Sequence, residues 1–110
     1  MWSYKLSVEA KEDYRKLDGS QKKYALALLK KLEENPLPRL KGGYGHPLGN
    51  DDQTGNLTGY FKLKARGCGI RLVYKLIEQD CMSHVIVIGM REDKDVYKIA
   101  SKRINQKSRK

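Results

Sequence analysis

Residues 57–89 constrain this chain more than any other segment. Leu57, Gly59, Phe61, Leu63 and Ala65 alternate with Thr58, Tyr60, Lys62, Lys64 and Arg66. A period of two predicts a strand with one apolar face and one polar, largely cationic face. Gly67-Cys68-Gly69 supplies a turn. Ile70 to Ile77 then alternates again, with Ile70, Leu72, Tyr74 and Leu76 on one side and Arg71, Val73, Lys75 and Ile77 on the other. Glu78-Gln79-Asp80 is a second turn, and His84-Val85-Ile86-Val87-Ile88-Gly89 is apolar on both faces, as a central strand requires. Three consecutive strands with short turns predict an antiparallel meander.

The flanking segments are predicted to cover this sheet. Trp2, Tyr4, Leu6 and Val8 alternate with Ser3, Lys5 and Ser7, the pattern of an N-terminal strand. A helix is expected over Glu9–Leu17, with Glu9, Glu12 and Asp13 placed early, where the helix dipole favours acids. After Asp18-Gly19-Ser20, Ser20 is expected to cap a second helix reaching Glu34, with Tyr24, Ala25, Leu28, Leu29 and Leu32 as its buried stripe. Asn35-Pro36 ends it. Residues 36–56 contain three prolines and five glycines and read as a long loop, the kind that is functional or mobile. A last helix begins near Asp93 with Val96, Ile99, Ala100 and Ile104 on one stripe, and residues 105–110 form a basic tail expected to fray. The order β-α-α-β-β-β-α over residues 1–110 is one domain of α+β class.

Charge narrows the partners. There are 23 Lys+Arg and 13 Asp+Glu, a net charge of +10. Residues 1–59 carry +2 of this and residues 60–110 carry +8. Such a bias suits a phosphate backbone or an acidic protein, and it also suits a merely solvated face. No apolar run is long enough to cross a bilayer. The alternating start does not look like an export signal, so a cytoplasmic protein with reduced Cys68 and Cys81 is expected. Neither cysteine has metal-ligand spacing, so no metal or other cofactor is expected.

The strand from Leu57 to Arg66 puts Tyr60, Lys62, Lys64 and Arg66 on one face. Two lysines that close repel, which lowers the pKa of one or both. Arg71 follows across the turn, Arg91 lies just past the apolar strand, and Tyr97 lies early in the last helix. Each has a plain structural alternative: a solvated strand face for the lysines, ion pairs with Glu92, Asp93 or Asp95 for the arginines, and core packing for Tyr97. His84, in an apolar strand, reads as structural. His46, in the Gly/Pro loop, reads as a weak candidate for a catalytic acid and more readily as a solvent-exposed bystander.

The run from Tyr60-Phe61-Lys62-Leu63-Lys64-Ala65-Arg66 through Gly69-Ile70-Arg71-Leu72-Val73-Tyr74, followed by Gly89-Met90-Arg91-Glu92 and Val96-Tyr97, resembles the RelE family. These are ribosome-dependent mRNA-cleaving toxins within the RelE/ParE superfamily of toxin–antitoxin systems. The resemblance spans most of residues 57–104. It implies a RelE-like fold and catalytic roles for Lys62, Lys64, Arg71, Arg91 and Tyr97, with Arg66 and Tyr60 as RNA contacts. It also implies a cognate antitoxin, the ribosome and mRNA as partners, DNA only through the antitoxin complex, and no membrane. In that chemistry the RNA's 2′-hydroxyl is the nucleophile. Lys64, alone or with Lys62, is the expected base, Arg71 the phosphate clamp, and Arg91 a neutraliser of charge or an aid to the leaving group. Tyr97 would orient the nucleophile or stack on a base. The same fold also serves ParE, an inhibitor of DNA gyrase, so the fold alone does not decide the activity.

Overall fold

The computed structural model describes residues 2–52, 54–90 and 93–107, except for the side chains of 93, 94 and 107. Strand β1, Ser3–Leu6, stops two residues earlier than its alternation suggests. Ser7 instead caps helix α1, Val8–Arg15, its Oγ accepting from the Ala10 N–H at 3.0 Å. Val8 is therefore 80% exposed rather than on the strand's buried face. Helix α2, Gly19–Glu34, is capped by Asp18 and not by Ser20. Asp18 Oδ1 accepts from the Gln21 N–H at 2.8 Å and Gln21 Oε1 accepts from the Asp18 N–H at 3.0 Å, a reciprocal pair that Ser20 cannot form from inside the first turn. Ala25, Leu28, Leu29 and Leu32 are buried as expected, whereas Tyr24 lies at the flank and is exposed.

Residues 36–56 are more structured than a loop. They contain a 3₁₀ turn at Arg39–Lys41 and strands β2, His46–Pro47; β3, Asn50–Asp51; and β4, Gly55–Asn56. The remaining elements are β5, Tyr60–Lys64; β6, Arg71–Ile77; β7, Met82–Gly89; and α3, Asp93–Lys107. The main sheet has the order β1-β7-β6-β5-β2, while β3 and β4 form a separate small hairpin. The predicted meander β5-β6-β7 is antiparallel throughout, β1 joins β7 in parallel, and β2 adds an antiparallel edge to β5. Helix α3 continues to Lys107, into the segment expected to fray after Ile104, and residues 108–110 lie outside the described residues.

The sheet separates two cores. Leu63, Ala65, Ile70, Leu72, Tyr74, Val85 and Ile88 meet Ala10 and the α2 stripe on one side. Leu57, Val73, Ile86 and Val87 meet Val96 and Ala100 of α3 on the other. Leu57 thus lies opposite the face its alternation predicts. Gly59, at φ +91°, turns the chain between Leu57 and β5 and resets the phase. A bulge does the same within β7. Val73 pairs with Val87 and Tyr74 with Val85, leaving Ile86 as the extra residue. Val85 and Ile88 consequently face one core and Ile86 and Val87 the other.

Beyond Leu6, β1 no longer covers the edge of β7. Two side chains take its place. Asp13 Oδ2 accepts from the Ile88 N–H at 3.0 Å, and Arg103 Nη1 donates to the Ile86 carbonyl at 2.8 Å. The two also form a bidentate pair of 2.7 and 3.0 Å. This ties α1 and α3 to the bulged strand. Among the described residues no helix is long and apolar enough to cross a membrane. In Arg103→Ala, Asp13 loses its cation and the Ile86 carbonyl loses this donor. The unfolding free energy should fall by about 2–4 kcal/mol, read as a lower denaturant midpoint at unchanged slope.

Candidate active site

The register of β5 on β6 brings the cations together. Lys64 lies directly opposite Arg71, and Lys62 opposite Val73. Residues directly opposite in an antiparallel pair share a face, so Lys62, Lys64 and Arg71 all lie on the side that carries α3. Helix α3 sets Tyr97 on that side, with the Lys62 Nζ 5.7 Å from its ring centroid. Arg71 is only 7% exposed, which fixes its guanidinium stem within the sheet. Lys62 and Tyr97 are half-buried and Lys64 is exposed. Arg91 lies outside the described residues. Four of the five expected catalytic side chains thus come from three elements to one surface.

Beside them, at the β2 edge, is a cleft of about 760 Å³. Lys62, Lys64 and Arg66 line it from β5 and the residues after it, and Lys31 from α2; Arg39 and His46 complete it. No acidic side chain lines it among the described residues. Tyr60 is elsewhere: it packs in the α3-side core and lines a smaller cleft of about 180 Å³ with Glu9, His84 and Arg103. Burial pushes its phenol up. His84 belongs to that smaller cleft too, so the two histidines are in different environments. Cys68 and Cys81 are free thiols. Among the described residues no group of three His, Cys, Asp or Glu side chains is arranged to hold a metal ion.

The cleft contains residues that periodicity passed over. Arg39, Tyr44 and His46 lie in the proline- and glycine-rich segment, where no element was expected. That segment folds back on itself: the Tyr44 N–H donates to the Asn35 carbonyl at 3.1 Å and the Gly45 N–H to the Leu37 carbonyl at 3.0 Å. The buried Tyr74 hydroxyl donates to the Pro36 carbonyl at 2.7 Å. A Cβ on Gly45 would come within 2.4 Å of that hydroxyl, so only glycine allows this approach. The one sequence hint was an aromatic and an imidazole set among glycines and cations.

No protein-family model matches the chain. A RelE-like toxin protein of Escherichia coli is 30% identical over 106 residues, covering 94% of this chain and 97% of that protein. The chain belongs to the RelE-like toxin family. The mRNA interferase toxin RelE of Escherichia coli K12 is 46% identical over 44 residues, which cover 40% of this chain and 46% of that toxin. The crystal structure of the isolated Escherichia coli RelE toxin superposes with a TM-score of 0.64 at 26% identity, covering 94% of this chain and 99% of that one. A variant of that toxin bound to an antitoxin RelB peptide gives 0.57 at 26% identity, covering 90% and 93%. The expected α+β fold is thereby shown, with β2 and the β3-β4 hairpin as additions to the sequence expectation.

The electrostatics of the cleft act on His46. Its partial burial, then the charges of Arg39 and Lys62, hold its imidazole below the ordinary 6.5. A depressed histidine gives stability that is full above the ordinary value and lost as pH falls through the folded one. The His46 resonance should titrate below 6.5 in an NMR pH series, and Arg39→Ala should move its midpoint upward.

Proposed function

We propose that this chain is the toxin of a toxin–antitoxin pair and cuts mRNA on the ribosome by attack of the RNA's own 2′-hydroxyl. The observation that carries this reading is the shared face of Lys62, Lys64, Arg71 and Tyr97. Two features of the relatives support it: one is named an mRNA interferase, and a solved RelE variant is held by an antitoxin peptide.

The reaction needs positive charge where the five-coordinate phosphate develops, and groups that take and give a proton. Arg71 offers a planar fork to the non-bridging oxygens, and its burial holds that fork in place before the substrate arrives. Lys62, beside the Tyr97 ring, and the exposed Lys64 bring two ammonium groups to the same phosphate. Tyr97 offers a ring edge to a nucleobase. Arg91 is assigned to the leaving-group side, and Arg66 extends the track for the strand. On the ribosome, positioning of the message supplies rate that these side chains alone do not. An antitoxin with acidic and apolar residues would cover this cationic face, and DNA would be reached only through that complex. The site of action would be the cytoplasm, with the ribosomes.

Lys64→Ala and Arg71→Lys should each slow cleavage of a ribosome-bound message by about 10²-fold or more. Lys64 is exposed, so its variant should melt like the parent. Mapping 5′ ends on a translated message is the measurement. No new ends with the parent protein, together with inhibition of DNA supercoiling by gyrase, would move the chain to the ParE branch of activity.

A further inference from the structure

We propose that His46, a residue outside the expected catalytic set, is the base that takes the proton from the attacking 2′-hydroxyl. This rests on the nuclease reading above and moves the base role away from Lys64.

His46 lies directly opposite Lys62 across the β2–β5 pair. It therefore shares the face that carries Lys62, Lys64 and Arg71. It is half-buried in an edge strand rather than exposed on a loop. The imidazole is also held on ordered backbone. The residue before it, Gly45, is fixed by its hydrogen bond to Leu37 and packs against the Tyr74 hydroxyl. A base held on paired backbone needs little ordering when substrate binds.

Lys31 of α2, Arg39 of the 3₁₀ turn, Lys62 and Lys64 of β5, and Arg66 beyond it all line the cleft with His46. The Tyr44 ring closes one wall, with the Lys31 Nζ 5.3 Å from its centroid and the Glu34 carboxylate 3.4 Å from its hydroxyl, accepting from it. Partial burial, and then the charges of Arg39 and Lys62, disfavour imidazolium and favour the neutral ring, whose lone pair can take a proton. An ammonium group suits the opposite task.

The step then balances. The His46 imidazole takes the 2′-hydroxyl proton as the 2′-oxygen bonds to phosphorus. The bond from phosphorus to the 5′-oxygen breaks, and that oxygen takes a proton from the Lys64 ammonium. The products are a 2′,3′-cyclic phosphate and a 5′-hydroxyl end. Arg71 holds the non-bridging oxygens throughout.

Single-turnover cleavage on programmed ribosomes, followed from about pH 5.5 to about pH 8, tests this. The parent rate should fall on the acid side as His46 gains a proton. H46Q, which keeps a polar side chain that takes no proton, should be about 10²-fold slower near neutrality and should lack that acid limb. H46Q that cuts as fast as the parent, or more slowly with the limb intact, overturns the assignment while leaving the nuclease reading standing. A parent protein that leaves the message whole overturns both. Arg39→Ala gives a second test that spares His46 itself: the acid limb should shift to higher pH, and a limb that stays in place overturns the assignment even if H46Q fails to fold.

Discussion

The Asp13–Arg103 pair ties two helices to the edge of β7 that β1 leaves open. A four-residue β1 leaves one edge of the second half of β7 uncovered. An open central strand would carry unpaired backbone groups and invite other chains. Asp13 and Arg103 satisfy those groups from two helices at once. The same bonds set how α3 lies on the sheet. Tyr97, less than two turns upstream of Arg103 on that helix, takes its place over Lys62 as a result. The pair thus links the packing of the far edge to the geometry of the cationic face.

What the sequence made legible follows from what repeats in it. A period of two places Lys62 and Lys64 on one face, and the tight Gly67-Cys68-Gly69 turn brings Arg71 back opposite Lys64. Such patterns are visible because burial on one face selects every second residue. Leu57 was placed on the wrong face for the same reason, because one glycine turn shifts the phase without altering composition, and the bulge at Ile86 is equally silent in the sequence. His46 stayed a weak candidate for another reason. A two-residue strand is too short for any period, and its partner lies sixteen residues away along the chain. The caps follow local chemistry instead: Asp18 outcompetes Ser20 because Gln21 answers it.

A cluster of like charges destabilises a fold, and the structure disperses that cost. Arg71 is embedded in the sheet, Lys62 rests on an aromatic ring, and Lys64 and Arg66 extend into water. Arg71 is the most fully desolvated of these cations. Lys62 is half-buried beside the Tyr97 ring, and Lys64 and Arg66 keep more of their hydration, which weakens the mutual repulsion.

The parallel pairing of Ser3 with Met82 spans most of the chain. Its consequence is one of timing during synthesis. The first strand and both early helices emerge before the strand they pack against exists, and α3 follows later still. A nascent chain therefore already holds the cations of β5 and β6 but no finished fold around them until β7 and α3 have been made.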